Sequence, residues 1–257
     1  MIELVNINKY YNPGLITETC VFDNFSLKIK DKQFVSVVGS NGSGKTTMLN
    51  IICGSIPIDS GKIIIDGQDI TNKKEFIRMK NIGRVYQNPA LGTSPHLNII
   101  ENLAIAENKN KSFNLSKLYS KSDEERYKEL LKGLNLGLED RCDIPMKSLS
   151  GGQKQAVALL MATMTDIDFL ILDEHTAALD PKTADIIMEL TDKIIKQKNL
   201  TSIMVTHNLR YAVEYGNRLI MMHEGKTVID KEGSEKENIK VDEVLKKFTE
   251  ISIECGN

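Results

Sequence analysis

"FVSVVGSNGSGKTTMLNIICG", residues 34 to 54, runs from an apolar stretch through a glycine-rich turn into a helical pattern. The β-branched stretch 34–39 reads as a buried strand, and the segment starting at Gly44 reads as a helix. Between them lies "GSNGSGKTT", a glycine-rich phosphate-binding pattern in the strand-then-helix context it requires. Gly39, Gly42 and Gly44 let the backbone take positive φ and crowd close to an anion. With Ser40, Asn41 and Ser43 they form a loop whose successive amides, together with the helix N-terminus, face phosphate oxygens. Lys45 supplies a charge for β- and γ-phosphates, and the Thr46 hydroxyl, followed by Thr47, is placed to ligate Mg²⁺. Nucleotide binding is the first expectation.

Working outward, "KIIIDG" (62–67), "FLILDE" (169–174) and "SIMVTH" (202–207) read as further buried strands. "KTADIIMELTDKIIKQ", starting at Lys182, reads as a helix. Alternation of strands with helices predicts an α/β fold with a largely parallel sheet. Residues 88 to 165 differ: strand signals are few, and a polar run "ENKNKSFNLSKLYSKSDEER" precedes helical periodicity in "YKELLKGLNLGL". They are expected to form a mostly helical insertion. The tail after Gly233 is polar and then amphipathic, too short for another domain.

"FLILDE" sets an acidic pair at the end of a buried strand, where α/β proteins bind ligands. Asp173 is the candidate for holding Mg²⁺ through water. Glu174, one residue on, is the candidate general base that polarises an attacking water.

A phosphate loop alone does not separate kinases, GTPases, helicases and transport ATPases. Here Gln87 sits in "VYQNP", "LSGGQ" precedes the acidic strand, "AALDP" follows it, and His207 closes the next strand. In this order and spacing the sequence resembles the ATP-binding cassette (ABC) family over nearly its whole length. The resemblance implies a P-loop NTPase cassette of one domain, with a small antiparallel N-terminal sheet and a mixed-sheet core. That core would be built from 1–87 and 166–232, the helical subdomain from about 88–165, and the tail from 233–257. ATP and Mg²⁺ are the implied ligands.

The remaining roles also follow from the resemblance. Ser150 and the amides of Gly151 and Gly152, with Gln153 behind them, would meet the γ-phosphate bound on a second copy. Two copies would then join head to tail with ATP as the glue, and hydrolysis would loosen them. Gln87 would contact Mg²⁺ or the attacking water, Asp180 would cross the dimer interface, and His207 would hydrogen-bond the γ-phosphate. Tyr11 falls where the family places an aromatic against adenine; the gap to Lys45 is a few residues longer than usual, and Tyr10 competes. His175 stands where many relatives have proline, and Lys154 where arginine is frequent; neither removes a catalytic group, so real turnover is expected. His96, His175 and His223 have no such frame and read as structural.

Bulk properties narrow the class. The chain has 257 residues, 41% hydrophobic and 26% charged, enough for one large domain or one with an insertion. A formal net charge of -2 gives no electrostatic case for nucleic acid. No apolar run approaches a spanning helix, and "MIELVNINKYYNPG" has no signal layout, so a cytoplasmic protein is expected. Cys20, Cys53, Cys142 and Cys255 have no metal spacing and read as reduced thiols.

Three classes of cassette ATPase share these motifs. A DNA-maintenance ATPase would need a long coiled coil, and no heptad stretch is visible. A soluble ATPase such as the iron–sulfur-cluster assembly type has similar length. "GRVYQNPALGTSPHLNIIENLAIA", "LLMATM", "DEHTAALDPKTA" and "NRLIMMHEGK" instead resemble a bacterial subgroup. That subgroup works with a permease and a substrate-binding lipoprotein on amino-acid-like solutes, tryptophan or tyrosine among them. The expectation is an importer's ATPase on the cytoplasmic face of the membrane.

Overall fold

The computed structural model describes residues 1–112 and 117–254, with side chains to 250. Cys255 and residues 113–116 of the polar run lie outside the described residues. In chain order the strands and helices are β1 (Ile2–Tyr11), β2 (Thr19–Ile29), β3 (Phe34–Gly39), α1 (Lys45–Cys53), β4 (Ser60–Ile65), β5 (Gln68–Asp69) and α2 (Glu75–Arg78). Then come β6 (Ile82–Val85), α3 (Ile99–Asn108), α4 (Lys121–Lys132), α5 (Gly151–Thr163), β7 (Phe169–Asp173) and α6 (Pro181–Lys198). The chain closes with β8 (Thr201–Val205), α7 (Leu209–Glu214), β9 (Arg218–His223), β10 (Lys226–Glu232), α8 (Ser234–Asn238) and α9 (Val241–Glu254). Two compact units result: residues 1–79 with 199–257, and residues 80–198.

In the first unit, β3 pairs in parallel with β8 and β9, and β10 adds antiparallel to β9. All six residues of β3 are buried, as expected of a strand covered on both faces. Helix α1 buries Met48, Leu49, Ile51, Ile52 and Cys53. The tail is built in, because Val244 of α9 packs with Val38, Ala212, Leu219 and Met221. A second, antiparallel sheet has the order β2-β1-β4-β5.

The segment "KIIIDG" departs from expectation: its strand β4 lies in this antiparallel sheet, and Ile63 alone of the strand is buried. Three consecutive isoleucines suit either kind of sheet. The deciding signal is the Asp66-Gly67 pair, whose φ values of 50° and 76° turn the chain back into β5.

In the second unit β6 and β7 pair in parallel, and the helices share a core of Ile99, Leu103, Tyr127, Leu131, Val157 and Ile187. Each such fully buried aliphatic side chain is worth about 1.5–3 kcal/mol. Asn98 and Ser120 close capping boxes with Glu101 and Asp123, which sets the starts of α3 and α4. The second box lies inside the polar run, so α4 begins six residues before the apolar periodicity at Tyr127. Cys20 is exposed while Cys53 and Cys142 are buried, and all three carry thiols.

Candidate functional site

The first unit holds the phosphate loop. Gly44 is the N-cap of α1 at φ 96°, and a Cβ there would lie 2.9 Å from the Phe22 ring. Glycine is thus required twice over, by backbone angle and by space. Lys45 is buried, and its Nζ donates to the carbonyls of Gly39 and Ser40 at 2.8 Å each and to Ser43 Oγ at 3.3 Å. A lysine side chain set within the loop supplies N–H donors where an anion's oxygens would approach. Thr46 and Asn41 are exposed beside it, and Thr47 is partly buried.

His207 belongs to the same edge. The Thr206 amide donates to the Val37 carbonyl at 3.1 Å, so His207 emerges where β3 delivers the loop. His223, read as structural, instead ends β9 with Nδ1 3.1 Å from Ser40 Oγ, directly on the loop. Register would have found it: Gly39 pairs with Met222, one residue before. Tyr11 ends β1 with Lys9 Nζ 5.5 Å from its ring centroid, while Tyr10 pairs across the strands with Cys20.

The second unit holds the acidic pair. Val85 pairs with Leu172, so Gln87 and Asp173 leave the C-terminal edge of adjacent parallel strands. Gln87 is exposed and Asp173 is mostly buried. Glu174 turns the chain at φ 49°, a conformation uncommon outside glycine. The next residue, His175, is buried and its Nε2 meets Thr191 Oγ1 at 3.1 Å. Burial pushes its pKa down to about 4, so the imidazole is neutral and serves as an anchor to α6.

Ser150 caps α5: its Oγ accepts from the Gln153 amide at 3.3 Å, and Gln153 Oε1 accepts from the Ser150 amide at 3.1 Å. Ser150 and Gly151 are exposed. Asp180 caps α6 through the Thr183 amide at 3.0 Å, and hydrogen bonding from the Thr183 side chain and then its amide lowers the Asp180 pKa. Thr183 packs on Gly152, so the "LSGGQ" segment and the Asp180 turn are neighbours. Gln155 Nε2 donates to the Tyr86 carbonyl at 3.1 Å, tying the start of α5 to the strand that leads to Gln87.

The groups present fit nucleotide phosphate and magnesium. The loop's buried ammonium and helix N-terminus suit an anion, and the Thr46 hydroxyl and Asp173 carboxylate are hard oxygen donors of the kind magnesium takes. From the sequence His223 read only as structural, and Arg84, which pairs with Asp173, was not singled out. A lone arginine within the apolar strand "IGRV" was the available signal for the latter.

A family model described as "ABC transporter" matches residues 22–177. The chain is 47% identical over 249 residues to a protein named tyrosine transport ATP-binding protein from Clostridioides difficile, covering 96% of this chain and 98% of the relative. It is 32% identical to a probable ABC transporter ATP-binding protein of Campylobacter jejuni, over 89% of each chain. Among solved structures, an ADP-bound ATP-binding cassette of an ABC transporter matches with a TM-score of 0.80 and 26% identity, over 100% of this chain and 99% of that one. A dimeric cassette in a post-hydrolysis state with ADP and phosphate matches with a TM-score of 0.77 and 31% identity, over 90% of this chain and 98% of that one.

Proposed function

Because the chain belongs to the ABC transporter family and is an ATP-hydrolysing cassette, we propose that it is the energy-coupling subunit of a membrane importer for amino-acid-like solutes. The observation that carries this reading is the 47% identity, over 96% of the chain, to a relative named for tyrosine transport. No helix among the described residues is long and apolar enough to cross a membrane. In this reading, which the importer names of its relatives support, the subunit works with integral-membrane permease subunits at the cytoplasmic face, and indirectly with a solute-binding lipoprotein. No observation favours an iron–sulfur-cluster assembly ATPase.

In this reading Lys45 and the amides of Gly39 to Thr47 hold the β- and γ-phosphates, and Tyr11 stacks on adenine. Thr46 and Gln87, with Asp173 through water, would hold Mg²⁺, which when bound neutralises charge on the phosphates. Glu174 takes the proton of the attacking water, and His207 donates to the γ-phosphate. The dimeric ADP-and-phosphate relative supports pairing of two copies; in the pair proposed, arranged head to tail, Ser150, Gly151, Gly152 and Gln153 of one copy close the other's site and Asp180 crosses between them. Loss of the γ-phosphate removes that closure and reopens the pair. By this account residues 88–165 form the helical subdomain that receives the permease, set into a core of 1–87 and 166–232, with 233–257 as the tail.

Expression with the permease encoded beside it tests the assignment. Co-purification from membranes and ATP-dependent tyrosine or tryptophan uptake into proteoliposomes are expected. A protein that hydrolyses ATP but never associates with a permease would refute the importer reading.

A further inference from the structure

Arg84 and Asp173 form an ion pair whose geometry goes beyond packing. Arg84 Nη2 lies 3.0 Å from Asp173 Oδ2, and the two side chains are only 7% and 13% exposed. Arg84 sits opposite Ile171, so it and Asp173 share one face of the β6–β7 pair and meet on the diagonal. Its guanidinium also lies 4.6 Å from the centroid of the Tyr86 ring. The Tyr86 carbonyl in turn accepts from Gln155 of α5. The Asp173 carboxylate is thus oriented through one oxygen, and Oδ1 is not part of the pair.

We propose that Arg84 is the positioning residue for the metal-binding carboxylate: it keeps Asp173 aimed, so that magnesium strengthens nucleotide binding. The inference rests on the assignment of Asp173 to the metal. A carboxylate this buried, left without its cationic partner, would swing away toward other donors or solvent. Residues that hold a metal's own ligands control affinity without touching the metal. Packing alone would be served by any long side chain, whereas this role needs the charge.

The test uses the full chain and fluorescent ADP, a ligand that is not hydrolysed. Affinity is measured with excess Mg²⁺ and with EDTA, and the ratio of the two reports the coupling between metal and nucleotide. Arg84→Met is expected to leave affinity in EDTA unchanged and to lower the ratio by roughly tenfold, the scale seen when outer partners of metal ligands are lost. Arg84→Lys, which keeps the charge and serves if the methionine variant does not fold, should give an intermediate ratio. An unchanged ratio in both variants would show a structural role only and overturn the inference. A raised ratio would show that Arg84 competes with the metal, which also overturns it. A wild-type ratio of one would remove the metal assignment itself, a failure distinct from either.

Discussion

Gly152 and Thr183 are in such close contact that a Cβ on the glycine would sit 2.2 Å from Thr183 Cγ2. The second glycine of "LSGGQ" is therefore demanded within the chain, by the crossing of α5 and α6, whatever it does toward a phosphate. Gly151 is less constrained, since a Cβ there would lie 3.3 Å from Leu179 Cδ2. Gly152→Ala is expected to lose about 1–3 kcal/mol of stability through overpacking. Thr183→Ala should recover most of it, and urea denaturation of the two single variants and the double variant measures the coupling. Additive effects would show that the contact is relieved at no cost.

Lys45 is held by three loop oxygens, poised for an anion. Lys45→Ala should weaken ATP binding by roughly ten- to a hundredfold, the scale of one or more charge-assisted hydrogen bonds. Isothermal titration of ATP checks this, with ordinary thermal unfolding as the control for the loop. Undiminished affinity would place the phosphates elsewhere.

Glu174 follows the buried strand β7 in a left-handed turn. Glu174→Gln should keep ATP binding while cutting hydrolysis by roughly 10²- to 10⁴-fold, the contribution of a general base. Phosphate release under saturating ATP is the readout, and normal turnover would reassign the base.

Glu107 accepts from the Tyr127 hydroxyl at 2.6 Å and pairs with Arg126 at 2.7 Å. The Arg126 hydrogen bond, aided by that from Tyr127, holds its pKa below the ordinary glutamate value. A carboxylate with a depressed folded pKa stabilises fully above its unfolded pKa, and that stability is lost as pH falls through the folded value. Glu107→Gln should thus cost about 1 kcal/mol at pH 7, and the difference from wild type should vanish in acid. Stability curves at several pH values decide it; a difference that grows toward acid would reverse the sign.

The phosphate loop, the acidic pair and α6 were legible because each has a local cause: glycine geometry, a buried apolar strand, helical periodicity. The Ser120–Asp123 box was not, since it starts α4 inside a run whose composition is polar. Sheet membership of β4 depended on the Asp66-Gly67 turn, a two-residue signal outweighed by three isoleucines. His223 and Arg84 became visible only through strand register, which joins residues separated by 183 positions in one case and 89 in the other. The sequence reading explained Gly152 by a phosphate in trans, and packing against Thr183 supplies a second cause that composition does not reveal.

The central claim is that one ATP is gripped by two copies of this chain. The most direct measurement is the solution mass of the Glu174→Gln variant, by size exclusion with light scattering, with and without Mg-ATP. A monomer that doubles its mass only when ATP is present is the predicted result. A variant that binds ATP and stays monomeric at every protein concentration would contradict the account.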